Sequence, residues 1–398
     1  MKKYIACLFI PLITLTACEV KVDGEKIVGS GKLITVQRPV SAFTSLENQS
    51  FFDIVVTKGD KDEVEITGDD NLVPEIETVV ESNKLIVRNK SKSFNFSWKD
   101  TPGIIKIKAA HLDSLDNSGS GDIELRDLHN DKFSLTSNSS GDIKASGEVQ
   151  SLSLTSNGSG DLKLDQLSIL QANIEMNSSG DISMNKLSQL LNLKTNGSGD
   201  FQADALQDAT VKLTLQGPGS VKLRGQVKDL KVDASGSGDM NIEGLRVAAA
   251  NLELNGPGDV SLAGFADSLT IDVNGSGDVD AKDLHAKTVI LRSHGPGSAS
   301  FNIDQNLTAE MSGSGDLNAT FNAANKIELL MNGPGSSSLS GTADNLSAKV
   351  NGSGDLNAHD LLLRLASIKV NGPSEAEVNV KQKDGSRVVR IDRTGVIN

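Results

Sequence analysis

A glycine-serine turn followed by an acid or a serine recurs fourteen times between residues 117 and 375, ending at Asp122, Asp142, Asp161, Asp181, Asp200, Ser220, Asp239, Asp259, Asp278, Ser298, Asp316, Ser336, Asp355 and Glu375. The thirteen intervals span 253 residues, about 19.5 each. Self-similarity at such a period marks a chain built by stacking units and not around one globular core. Aromatics make up only 3% of the residues, so the core must be narrow and filled by small aliphatic side chains.

Within a unit the pattern assigns strands. Leu269, Ile271 and Val273 alternate with polar neighbours, Gly275-Ser276-Gly277-Asp278 turns the chain, and Val279 and Ala281 alternate again before Leu284. Period-two alternation means strands with one face buried. Each repeat therefore reads as a strand, a tight glycine turn, a second short strand and a corner. The turn glycines are expected to supply positive φ, and the acids to accept nearby backbone amides as Asx turns do. Asn precedes the turn at 138, 157, 177, 196, 255, 274, 332, 351 and 371, a spacing that predicts a ladder of bonded side-chain amides.

The turns alternate in kind, GSG at 119, 158, 197, 236, 275, 313 and 352 against SSG or GPG between them, so a two-unit repeat of about 39 residues overlies the shorter one. If the longer repeat were one coil, it would enclose a lumen that Ala281, Ala319 and Ala358 could not fill, whereas the inward side chains of the shorter unit suit a narrow prism. The expectation is about 14 coils of 19–20 residues in a right-handed parallel β-helix, an all-β fold. At roughly 4.8 Å per stacked strand it forms a rod of about 65–70 Å.

Residues 1–17 read as a secretory signal, with Lys2 and Lys3 ahead of a short apolar stretch. Leu15-Thr16-Ala17-Cys18 resembles the bacterial lipobox, which implies an acyl anchor at Cys18 and a lipoprotein of the cell envelope, with Glu19 compatible with the outer membrane. Residues 18–28 read as a charged tether and 29–111 as irregular β structure capping the stack, where Phe43, Phe51, Phe52, Phe94, Phe96 and Trp98 gather. The repeats follow over 112–380, and 381–398 read as a C-terminal cap. Of the two cysteines, Cys7 lies in the signal, so no disulfide is expected within one mature chain. The net charge of -13 disfavours nucleic acid.

No catalytic, cofactor or metal residues are expected. Glycine-aspartate turns hold calcium in nonapeptide solenoids, and stacked aspartates about 5 Å apart repel in a way a cation would relieve. Here the spacing is about twice as long and several positions become serine, which favours a structural turn. His111, His129, His285, His294 and His359 show no zinc-like pairing, and His294 occupies the Asn position and is expected to join the ladder. No coil breaks pattern to bring an Arg, a Lys and two acids together as a polysaccharide lyase requires, and no Walker loop or nucleophile elbow stands out. Ile290 and Leu330 are outward apolar exceptions in the alternation.

GSGKLITVQRPVSAFTSL at 29–46, DIVVTKGDKDEVEITGDDNLVPEIETVVESNKLIVR at 53–88 and the GSGD and SSGD turns resemble the head-GIN family of auto-transporter adhesin heads, over residues 29–375. The resemblance implies a β-helix with an envelope or adhesive role and carries over no catalytic residues. The function expected is a non-enzymatic, lipid-anchored adhesin or surface-contact protein, with a glycan or protein partner. The alternatives are an envelope scaffold without a ligand and a cation-stabilised glycan-binding or glycan-processing β-helix.

Overall fold

The computed structural model describes residues 27–90, 96–382, 385–391 and 395–397. The signal at 1–17, Cys18 and Phe94 lie outside these. Thirteen long strands, from β11 (Ile123–Ser137) to β23 (Leu356–Val370), succeed one another, and each pairs in parallel with the next. Met240 pairs with Val260, and Val260 with Val279, so one coil advances the chain by the short repeat and not the long one, and the chain is a parallel β-solenoid. The count is thirteen full coils where the turns predict fourteen, because the turn ending at Glu375 opens only the short strand β24 (Ala376–Gln382).

The strands run further than the sequence pattern suggests. Breaks of register divide a long strand into short straight runs, as at Leu162–Leu164, Ser168–Ile169 and Gln171–Met176. Each coil therefore has a first face after the turn, a short second face and a third face leading to the next turn. In β11 the inward residues are Ile123, Leu125, Leu128, Phe133, Leu135 and Ser137, and inward residues of successive coils lie above one another in columns. Burial of this kind stabilises by about 25 cal/mol per Å² of apolar surface, and stacking supplies it for every coil between the ends.

The two-coil period has a physical basis at the corner between the first and second faces. Gly147, Gly225, Gly264 and Gly341 occupy it in four of the coils opened by SSG or GPG, with φ between 100° and 128°, and Gly244 in one opened by GSG, with φ 90°. A Cβ on Gly264 would lie 2.3 Å from the carbonyl oxygen of Leu245 in the coil below. These coils turn the corner on one glycine, whereas the coil of β11 spends an extra residue there, so the register shifts by one between the pairs Leu125–Ala145 and Leu128–Gly147.

At the base, stacking order and chain order part company. β3 (Ser45–Gln49) lies between β7 (Lys84–Asn89) and β10 (Ser114–Asn117), all parallel, and β4 (Asp53–Lys58) lies between β9 (Ile104–Ala109) and β11. A short parallel pair, β1 (Ile27–Val28) with β8 (Phe96–Ser97), stands apart from the main sheet. Antiparallel strands close this end: β6 (Ile76–Glu81) against β7, and β2 (Leu33–Arg38) against β5 (Glu63–Asp69), which itself pairs with β9. Such strands cover an end that would otherwise invite further stacking. Phe51, Phe52, Phe96 and Trp98 plug the base, with Phe52 edge-on to Trp98 at 4.9 Å. At the other end β25 (Gly385–Ile391) folds antiparallel onto β24, and β26 (Gly395–Ile397) onto β23.

Candidate functional site

The acids of the turns do not fold back on their own turns. The Asp142 carboxylate accepts the backbone N–H of Asp161 at 3.0 Å, and Asp259 accepts that of Asp278 at 2.8 Å, so each rung holds the coil above it. Two serines keep the acceptor, since Ser298 and Ser336 receive the amides of Asp316 and Asp355 at 3.2 Å, whereas Ser220 does not receive that of Asp239. The column starts one level below the first glycine turn, where Asp53 accepts the amide of Asp122 at 2.9 Å. Bonds from ionised acceptors are the stronger ones. The acids thus act between coils, which corrects the expectation of local Asx turns. Among the described residues no group of three or more His, Cys, Asp or Glu side chains is placed to hold a metal ion.

The glycines of the turns also have a different reason from the one expected. Among the described residues the glycines with positive φ are seven, and none belongs to the repeated turn. What excludes a side chain is the neighbouring coil: a Cβ on Gly277 would sit 2.0 Å from the carbonyl oxygen of Gly258.

The asparagine ladder is present in three runs. Asn157, Asn177 and Asn196 each donate to the Asn one coil below, starting from Asn138, at 2.6–2.9 Å. Asn274 donates to Asn255, and the run Asn332, Asn351, Asn371 is bonded likewise. His294 stands in the column, since its amide bonds to Val273, but its ring forms no hydrogen bond to Asn274 or Ser312 and it interrupts the ladder it was expected to join.

Among the described residues, cations meet the column at Asp142 and Asp161, through Lys163, and at Glu375, through Arg390. Lys163 bonds Asp142 at 2.8 Å and holds that carboxyl below its ordinary 3.8, whereas burial pushes Asp53 up. For Asp142 the folded-state pKa lies below the unfolded one, so its contribution is present above pH 3.8 and is lost as pH falls through the lower folded value. Asp142→Asn is therefore expected to lower the thermal midpoint at pH 7, with the gap from wild type narrowing at pH 3, as read by melts at both values.

His111 and His129 line one groove but bond to different partners. His111 meets Asp113 at 2.7 Å, and the His129 ring lies 3.0 Å from the Asp127 carbonyl oxygen. Ile290 and Leu330, half-buried, do share a third-face groove of about 580 Å³, with Arg292, Glu310 and Lys349 around them.

The residue missed in the sequence is Phe265. It is 56% exposed on the second face, at the position following a corner glycine that other coils fill with Glu148, Gln226 and Thr342. Register places Arg246 one coil below it and His285 one coil above. The Arg246 guanidinium carbon lies 5.9 Å from the ring centre, and the His285 ring stacks at 5.5 Å with planes 20° apart. A groove of about 420 Å³ runs past this stack, and Lys228, Asp229, Asp267, Lys287 and Asp304 line it. Stacking thus gathers one Arg, two Lys and three acids from successive coils into one groove.

The family model described as "Putative auto-transporter adhesin, head GIN domain" matches residues 42–189, 167–263, 247–323 and 304–389. The chain belongs to this family. The four overlapping matches show that the family pattern recurs along the repeat tract. No curated protein matches it. Crystal structures of a "putative adhesin" from Bacteroides fragilis NCTC 9343 (18% identity, 83% of this chain and 99% of that chain, TM-score 0.21) and of another from Parabacteroides distasonis ATCC 8503 (16%, 84% and 99%, 0.26) are similar to it. A "Putative lipid binding protein" from the latter organism matches at 17% identity over 90% of this chain and 100% of that one, with a TM-score of 0.26. The head-GIN assignment rests on the family model.

Proposed function

We propose that this head-GIN chain is a non-enzymatic, lipid-anchored rod of the bacterial envelope that makes surface contacts through its lateral faces. The observation that carries the reading is the use of the repeated residues. The turn acids and asparagines hold coil to coil, and both ends are closed by antiparallel strands. Chemistry is therefore left to the faces, where side chains depart from the pattern. The adhesin description of the family supports the same reading. Anchoring rests on the lipobox-like sequence ending at Cys18, since two acyl signals bind a membrane stably where an acidic surface does not.

Growth with a clickable fatty acid followed by protease treatment of intact cells tests both halves. Wild type is expected to be labelled and cleaved from outside, and Cys18→Ser to be unlabelled and released from the membrane fraction. Labelled chain fully protected from protease would reject adhesion and leave a periplasmic scaffold.

A further inference from the structure

We infer that the second-face groove around Phe265 is a binding site for a carboxylated glycan, one bearing uronic acids beside acetyl or ring C–H surface. The inference deepens the adhesion reading and rests on it for its biological setting, but its chemistry stands on the groove alone.

The charged groups of the groove divide into those already engaged and those that are free. Lys287 pairs with Asp267 at 2.6 Å, Asp229 accepts a bond from Thr210 at 3.3 Å, and Asp304 one from Asn322 at 3.1 Å. Among the described residues, Lys228, Arg246 and His285 make no hydrogen bond or ion pair, and all three are exposed. Asp229 and Asp304 keep acceptor capacity, but the groups with no partner at all are donors, on a chain whose net charge is -13. A guanidinium with five free N–H groups is built for a planar carboxylate, and the exposed Phe265 beside it offers an apolar surface for the rest of the ligand.

The backbone narrows the class of ligand. Strands in this stretch are paired on both sides by the coils above and below, so no free edge exists to add a peptide strand, and a single phenyl ring does not make the aromatic-lined groove that takes a proline-rich one. Recognition must be by side chains of a ligand rich in acceptors. The three free donors lie on successive or alternate coils, and two coil rises come to about 9.6 Å, close to the length of an extended disaccharide. A polymer with one carboxylate per disaccharide matches that spacing, and the negative chain would disfavour a denser polyanion.

The test uses the soluble mature chain and a hyaluronan hexasaccharide, which alternates a uronate with an N-acetyl sugar. Its methyl ester, dextran and poly-glutamate serve as comparisons in titration calorimetry. Wild type is expected to bind the hexasaccharide and to lose at least about tenfold in affinity for the ester. Phe265→Ala and Arg246→Ala should each weaken binding by a similar factor with the thermal midpoint unchanged, because both side chains are exposed. The inference is overturned if wild type does not bind the hexasaccharide, if both variants bind as wild type does, or if poly-glutamate binds as tightly, which would point to an acidic peptide. Failure here leaves the adhesion reading standing, since protease treatment of intact cells decides that separately.

Discussion

Gly277→Ala is expected to cost about 4 kcal/mol or more, the range reached only by changes that break a packed structure. The added methyl carbon would stand 2.0 Å from the carbonyl oxygen of Gly258 and 2.6 Å from its carbonyl carbon. Both are backbone atoms, so no side chain can swing aside. Relief requires the two coils to separate, which stretches the bonds that join them, including the amide of Asp278 to Asp259 at 2.8 Å. In a stacked-repeat chain each coil is stabilised by its neighbours, and a weakened junction divides the cooperative unit. Urea unfolding followed by circular dichroism should show either one transition at much lower denaturant or two separate ones. A stability within about 0.5 kcal/mol of wild type, the usual size of a neutral surface change, would mean that the turn is not packed as described.

Phe201→Ala is expected to cost about 3–5 kcal/mol. Phe201 is 1% exposed, with Ile182 below it and Val221 above in the same inward column. Aromatic volume is scarce in this core, and a coil this short has few side chains with which to refill the space. The cavity should therefore persist, and the loss should appear as a lowered midpoint in the same unfolding experiment.

Much of this architecture was legible because the period identifies equivalent residues. The coil length, the alternation of inward and outward positions and the Asn138 to Asn196 ladder all follow from a repeat that places like above like. What the period does not contain is the direction in which a side chain bonds. Asp142 could serve its own turn or the next coil, and only the stacked geometry shows that it takes the amide of Asp161. Asp53 was hidden for a related reason: it holds the first rung, but the turn before it reads Ser50-Phe51-Phe52 and carries no glycine. The base was illegible because β3 and β4 are inserted between strands that come later in the chain, an order no local pattern records.

Phe265 left a signal that alternation alone could not interpret. A phenyl ring next to Gly264 reads as ordinary core until the corner is placed, since Gly264 turns the chain and the residue after it faces out. The gathering of Arg246, His285 and Lys228 is likewise a product of register between coils and not of sequence proximity.

The central claim is that repeated residues hold the rod and exceptional ones act. It is tested by carrying Asp259→Ala and Phe265→Ala through the same two assays, thermal midpoint and hexasaccharide affinity. The account predicts that Asp259→Ala lowers the midpoint and leaves affinity unchanged, while Phe265→Ala leaves the midpoint and weakens affinity by at least about tenfold. An Asp259→Ala chain that binds poorly at full stability, or a Phe265→Ala chain that unfolds early, would contradict it.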